Sequence, residues 1–117
     1  METENKERLL KYLHDALAAA HHIDNSTVGL SLRNYEFNNI KWTVERGIEI
    51  ISEALKRCTH LYNDLPISNL TKIFATRNKI AHEYDLVDPN LLFTIVTKYI
   101  PILIDELKIF IKEVEAK

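Results

Sequence analysis

The segment ATRNKIAHEYD, residues 75–85, brings together three side chains that could do chemistry: Arg77, His82 and Tyr84. A guanidinium can hold a phosphate through two hydrogen bonds and stabilise the charge that builds on its oxygens. An imidazole can take or give a proton near neutral pH. These residue types therefore suit phosphodiester cleavage without a metal ion. On RNA, attack by the ribose 2′-OH would leave a 2′,3′-cyclic phosphate and a 5′-OH end.

The same residues have a purely structural alternative. Arg77 could pair with Glu83 or Asp85, and His82 could be an ordinary residue at the end of a helix. Residue types alone leave both interpretations open, because Arg and His at this separation are common by chance. One histidine cannot easily act as base and acid at once. Two copies of the segment facing each other across a dimer would solve this problem.

Hydrophobic residues recur at helical spacing along nearly the whole chain, which predicts four helices. We expect them over about residues 3–23, 34–60 and 68–81, and from residue 89 onward. Ser68 can cap the third helix, while Asp88 and Pro89 are typical of a helix start. Pro101 lies inside the fourth pattern and cannot donate to the carbonyl of Thr97, which predicts a kink. Short connections favour a single-domain, all-α antiparallel bundle over residues 1–117.

The hydrophobic stripes also predict the core. Its expected members are Leu9, Leu13, Leu17 or Ala16, and Ala20 in the first helix, Ile40, Val44, Ile48 or Gly47, Ile51, Leu55 and Cys58 in the second, Leu70, Ile73, Phe74 and Ile80 in the third, and Leu92, Ile95, Val96, Tyr99, Leu103, Leu107, Phe110 and Val114 in the fourth.

Helix geometry constrains how the reactive residues of the third helix can meet. At about 100° per residue, Arg77 and Tyr84 lie nearly on one face, whereas His82 lies about 140° from Arg77. A regular helix through Tyr84 would therefore separate the three side chains. The following residues EYDLVD carry no helical stripe, so we expect the helix to end near His82.

Composition excludes several classes of protein. The chain is 46% hydrophobic with a net charge of −2, so it has no global basic field that would attract nucleic acid. The single Cys58 favours a reducing compartment and a buried thiol. No apolar segment follows the charged residues 1–8 as in a signal peptide, and the apolar runs are too short for a membrane span. We expect a cytoplasmic protein.

Two weaker patterns concern ligands. His14 and His21 could share a helix face, but no third ligand stands at a suitable spacing, so we expect no metal site. Several cations surround the reactive segment and could form a phosphate track or be ordinary surface charges, and this choice stays open. They are Lys56, Arg57, Lys72, Arg77 and Lys79.

The fourth helix carries more hydrophobic residues than one face requires. The additional ones are Ile100, Ile102, Ile104, Ile109 and Ile111. They fit either a central helix of the monomer or a second apolar face against a partner chain. We favour a homodimer.

The spacing Arg-x4-His-x-Tyr resembles the signature of the HEPN ribonucleases, in particular the HepT toxins of the HEPN/MNT toxin–antitoxin modules. The similarity extends over most of the chain. WTVERGIEIISEALKR resembles the second core helix of the family, LPISNLTKIFATRNKIAHEYD its motif helix, and VDPNLLFTIVTKYIPILIDEL its last helix with the internal proline.

This resemblance implies a four- or five-helix bundle that forms a homodimer with an RNA-cleaving cleft at the interface. Arg77 and His82 would be the catalytic pair, supported by Asn78. Tyr84 matches the tyrosine to which a minimal nucleotidyltransferase antitoxin transfers AMP from ATP. Glu45 and Arg46 match a polar pair on the second helix.

The function implied by the resemblance is the toxin of a type VII-like module: a metal-independent endoribonuclease without a cofactor. tRNA is the substrate expected at the level of the family. The alternative is a non-catalytic HEPN module that binds a nucleotide or acts as a scaffold for the nucleotidyltransferase partner.

Overall fold

The computed structural model describes residues 2–29, 40–82 and 88–117. Every regular element within these ranges is a helix, which confirms the predicted all-α class. The first three helices are α1 (Thr3–Thr27), α2 (Ile40–Leu61) and α3 (Leu70–His82). The last helix has three parts, namely α4 (Pro89–Thr94), a π-helical turn (Ile95–Tyr99) and α5 (Ile100–Glu115).

The core lies between α1, α2 and α5, and its members confirm most of the predicted stripes. Of the two alternatives in α1, Ala16 is buried, while Leu17 is half-buried. Leu70, Phe74 and Tyr99 are half-buried at the edge of the core. The side chains with the least exposure include Leu9, Leu13, Val44, Leu55, Cys58, Leu92, Leu107, Phe110 and Val114. No helix within the described ranges has both the length and the hydrophobicity that a membrane span requires.

The last helix begins and bends where the sequence predicts. The Asp88 side chain accepts a hydrogen bond of 2.8 Å from the Asn90 N–H, and Pro89 is the first helical residue. Because Pro101 cannot donate a backbone hydrogen bond, the turn before it is widened. The Ile100 N–H bonds to the carbonyl of Ile95, five residues earlier. The kinked last helix is confirmed.

The start of α3 differs from the prediction for Ser68. Its hydroxyl donates to a carboxylate oxygen of Glu106 at 3.0 Å, and its backbone N–H donates to the other oxygen at 3.0 Å. Helix α3 begins later, at Leu70, and its first hydrogen bond runs from the Ile73 N–H to the Asn69 carbonyl. Ser68 thus ties the loop before α3 to α5.

The excess of isoleucines in the last helix is largely explained by the core of one protomer. Ile100, Ile104 and Ile111 are buried within the protomer. Only the remaining pair reaches solvent, with Ile102 39% and Ile109 61% exposed. A homodimer therefore stays a prediction, and this exposed pair of side chains could form part of its interface.

Gly47 allows α1 and α2 to approach each other closely. A Cβ placed on Gly47 would lie 2.5 Å from Cδ1 and 2.6 Å from Cγ1 of Ile23. Ile23 has no solvent exposure, so its side chain has no open space into which it can rotate. The absence of a side chain at residue 47 is thus a packing requirement.

We expect Gly47→Ala to lower the free energy of unfolding by about 1 kcal/mol. Overpacking costs roughly 1–3 kcal/mol, and the better helix propensity of Ala returns up to about 1 kcal/mol. Chemical denaturation measures the change. Ile23→Ala removes both Cδ1 and Cγ1, so the loss in the double variant should be smaller than the sum of the two single losses. A double variant whose loss is simply the sum of both single losses would contradict the contact.

Candidate functional site

Helix α3 presents its candidate reactive residues to solvent because its opposite face packs on the core. Ile73, Thr76 and Ile80 form the buried face. The Thr76 hydroxyl donates to the Lys72 carbonyl at 2.8 Å, so its burial leaves no polar group unpaired. The side chains predicted to do chemistry on this helix, Arg77, Asn78 and His82, are all exposed.

The described part of α3 is helical through His82, so the geometry of a regular helix applies to Arg77 and His82. They differ by about 140° around the axis and about 7.5 Å along it. Asn78 lies between them, one turn before His82 and about 40° from it. One copy of α3 therefore spreads the two side chains along its surface and does not direct both at one atom.

Tyr84 lies outside the described residues, as do Glu83 and Asp85, the alternative ion-pair partners of Arg77. Within the described ranges, the Arg77 guanidinium has no carboxylate partner. A guanidinium without an ion pair in a groove is available to an anionic ligand.

Arg77 and Asn78 line a groove of about 420 Å³ between α2 and α3, here named the Arg77 groove. This volume is in the range of small-ligand sites. Phe74 completes the α3 side, and the Lys56 ammonium lies 5.1 Å from the centre of its ring. The α2 side is polar and includes Arg46, Glu49, Ser52, Lys56, Arg57 and His60.

Among the described residues that line the Arg77 groove, four cations face two carboxylates. Arg46 pairs with Glu49 at 3.3 Å, and Arg57 pairs with Glu53 at 3.1 Å. Lys56 and Arg77 remain as the excess positive charge. The groove is therefore locally cationic on a chain whose net charge is −2.

The predicted set of phosphate-track cations is divided by the structure. Lys56, Arg57 and Arg77 share the Arg77 groove. Lys72 instead donates to the Tyr99 hydroxyl at 3.1 Å, and it lines a separate surface hollow together with Lys79. Only the first three can act on one ligand in this groove.

His60 is a candidate that the sequence analysis missed. It is exposed in the last turn of α2 and lines the Arg77 groove, whereas His82 is not among the lining residues. A signal was available, because an antiparallel helical hairpin places the end of α2 beside the beginning of α3.

The polar pair on α2 is separated into two environments. Arg46 is exposed and lines the Arg77 groove, whereas Glu45 is buried with only 5% of its surface exposed. Burial raises the pKa of the Glu45 carboxyl, and the Lys41 ammonium at 3.8 Å partly opposes this effect. Among the described residues, Glu45 thus belongs to the buried part of α2 and does not line the Arg77 groove.

The thiol is not a nucleophile in this fold. Cys58 is fully buried, and desolvation raises its pKa to about 12, so the reactive thiolate is scarce at neutral pH. His14 is exposed and His21 half-buried on α1. In the described parts of the chain, no three His, Cys, Asp or Glu side chains come together so that they could hold a metal ion.

These features describe an all-α domain with a cationic groove beside an exposed Arg and His on one helix. A family model described as ribonuclease HepT-like matches residues 16–114, which include all of α2 and α3. The chain therefore belongs to the HepT-like ribonuclease family. No curated protein and no solved structure matches it. Membership of this family indicates a ribonuclease of the HEPN toxin class.

Proposed function

We propose that this chain is a metal-independent endoribonuclease and the toxin of a type VII-like toxin–antitoxin module. The observation that carries the proposal is an Arg77 guanidinium without a described carboxylate partner, in a cationic groove, on a helix that also exposes His82 and in a ribonuclease-family chain. Arg77 would hold the scissile phosphate and stabilise the charge on its oxygens. His82 would move the proton of the ribose 2′-OH or supply one to the departing 5′-oxygen.

A homodimer supplies what one protomer lacks. The offset of about 140° between Arg77 and His82 directs the two side chains toward different sides of a single α3. Two α3 helices that face each other would place an Arg from one copy opposite a His from the other. They would also supply two imidazoles, one as base and one as acid. In this arrangement, Asn78 lies between the two groups and would orient the phosphate or His82.

The proposal includes inhibition by modification of Tyr84. The phenol oxygen would attack the α-phosphate of ATP in the active site of a minimal nucleotidyltransferase antitoxin. A phosphate ester forms, pyrophosphate leaves, and the phenol proton passes to a base of that enzyme. Tyr84 is two residues beyond His82, so the attached anionic nucleotide would compete for Arg77 and occupy the phosphate site.

The divergence of Arg77 and His82 also favours a second candidate function. A module that holds a nucleotide or serves as a scaffold for the nucleotidyltransferase needs the cationic Arg77 groove but no convergence of the two side chains. Such a module would bind a nucleotide and leave RNA intact.

The experiment that tests the proposal incubates RNA with the unmodified protein in excess EDTA. We expect cleavage to persist in the chelator, because no proposed step uses a metal ion. The products should carry 2′,3′-cyclic phosphate and 5′-OH ends, which end-labelling assays identify. Intact RNA with and without EDTA would support the second candidate. Cleavage that stops in EDTA and returns with a divalent ion would overturn the metal-independent mechanism.

A further inference from the structure

Two grooves lie on either side of the exposed face of α2 and share its side chains. The Arg77 groove lies between α2 and α3. A second groove of about 920 Å³, here named the Tyr12 groove, lies between α1 and α2. Arg46, Glu53 and Arg57 line both of them. These three residues form a single row along α2, so the two grooves make one concave surface interrupted by one line of side chains.

Three cations surround the Tyr12 ring at the far side of this row. The Arg57 guanidinium lies 5.6 Å from the centre of the ring and the Lys11 ammonium 5.3 Å. Hydrogen bonding from Arg57, and then from Arg8, lowers the pKa of the Tyr12 phenol. The Tyr12 ring thus contacts cations of two helices, Lys11 of α1 and Arg57 of α2, and Arg8 stands one turn before Tyr12 on α1.

Charge balance makes this surface attractive to a polyanion. The described residues that line either groove, together with Arg8, include six Lys and Arg side chains and three carboxylates. The carboxylates are those of Asp15, Glu49 and Glu53. The rest of the chain carries an excess of negative charge, because the net charge of the whole chain is −2. The Arg57–Glu53 ion pair is exposed on both sides, and such pairs contribute little, so a phosphate can replace Glu53.

We propose that an RNA strand bound at Arg77 continues across Arg57 to a second phosphate subsite, formed by Arg8, Lys11 and Arg57 around Tyr12. This subsite rests on the proposed function for its ligand, RNA. Arg57 joins the two parts because it lines both grooves and contacts Tyr12. Tyr12 is a positioning residue, since its phenol holds the guanidinium groups and its ring carries Lys11 and Arg57.

The subsite predicts that binding depends on the length of the RNA. A strand of three nucleotides would occupy the Arg77 groove alone, whereas a strand of twelve would also reach Tyr12. Each phosphate contact by a cation on single-stranded RNA contributes about 0.7 to the slope of log K against log salt. Loss of Arg8 and Lys11, the two cations of the subsite that do not line the Arg77 groove, should therefore reduce that slope by about 1.4 for the long strand only.

The test measures binding of 2′-O-methyl RNA, which lacks the attacking hydroxyl, to the wild-type chain and to Arg8→Gln/Lys11→Gln, a variant that leaves every residue of the Arg77 groove in place. Between 50 and 200 mM salt, we expect the double variant to bind the twelve-nucleotide strand about tenfold more weakly, with the reduced slope. The three-nucleotide strand should bind within about twofold of the wild type. Lys108→Gln/Lys112→Gln is the matched control, because both lysines are exposed on α5 away from both grooves and the charge change is equal.

A second variant examines the positioning role of Tyr12. Tyr12→Phe keeps every charge but removes the phenol that holds Arg57 and Arg8. We expect about a threefold weaker affinity for the long strand and an unchanged salt slope, because the number of cations is the same. Thermal unfolding followed by circular dichroism establishes that each variant is folded.

The outcomes separate the subsite from the nuclease. If Arg8→Gln/Lys11→Gln binds the long strand as the wild type does, or no more weakly than the lysine control, the subsite is wrong even though cleavage continues. A wild-type chain that binds no long strand overturns it as well. If binding shows the expected length and salt dependence while unmodified RNA is never cut, the subsite stands and the nuclease proposal fails.

Discussion

We expect His82→Ala to lower the rate of RNA cleavage by about 10²- to 10⁴-fold, the usual contribution of a general acid or base. The proposed mechanism leaves no other group on α3 that could move the proton near neutral pH. His82 is exposed at the end of the described part of α3, so its removal should not disturb the core. Initial rates on a labelled RNA measure the effect, and circular dichroism compares the folds.

Companion variants show whether the loss belongs to His82 alone. Arg77→Ala should lower the rate by about 10²- to 10³-fold, and Arg77→Lys should retain part of it, because Lys keeps the charge but not the two-pronged hydrogen bond. His14→Ala removes an exposed histidine that lines neither groove and should cut RNA at the wild-type rate.

His60→Ala decides between the histidine that lines the Arg77 groove and His82. His60 lines that groove within one protomer, and His82 would reach the phosphate only in a dimer. Loss of cleavage in His60→Ala with normal rates in His82→Ala would assign the acid–base role to His60 and refute the dimeric arrangement. Normal rates in both variants would remove histidine catalysis altogether.

The second large effect concerns modification: Tyr84→Phe should carry no adenylate after production with the nucleotidyltransferase partner and ATP. The substitution removes only the hydroxyl oxygen, which is the atom that would attack the α-phosphate. Intact-mass measurement of the wild type should show adenylate additions, and the variant should keep its unmodified mass. The variant should also cut RNA in the presence of the partner, because nothing then blocks Arg77.

Two other tyrosines provide demanding controls for the modified site. Hydrogen bonding from Lys72 lowers the pKa of Tyr99, and hydrogen bonding from Arg57 lowers that of Tyr12. Both phenols are therefore easier to ionise than an ordinary tyrosine. Tyr99→Phe and Tyr12→Phe should still be fully modified if Tyr84 is the acceptor. If the adenylate persists in Tyr84→Phe and disappears in one of the two controls, the tyrosine replaced in that control is the modified residue.

The helices could be predicted from the sequence because burial of one helix face imposes its period on the residues. Leu13, Leu55 and Phe110 are buried for this reason. The start at Asp88 and the widened turn before Pro101 follow from the chemistry of one or two residues, so they too were accessible. Features whose cause lies within a few residues along the chain are those the sequence reveals.

Features that depend on distant residues could not be predicted in this way. Ser68 has the side chain of a helix cap, but Glu106, 38 residues later, bonds to its hydroxyl. The sharing of Arg57 between two grooves depends on how closely α1 and α3 pack on either side of α2. That His60 and Arg77 line one groove follows in outline from the antiparallel hairpin, but the residues that share the groove depend on how α2 and α3 pack.

The contact between Ser68 and Glu106 joins α5 to the residues that precede the reactive helix α3. Glu106 stands on α5 between Ile102 and Ile109, on the same face as both. A surface that spans both isoleucines would lie over the carboxylate, and exclusion of water there would strengthen its hydrogen bonds to Ser68. Assembly through this face would therefore hold the residues before α3 more firmly. The rigidity of the helix that carries Arg77 would then depend on whether the chain is assembled.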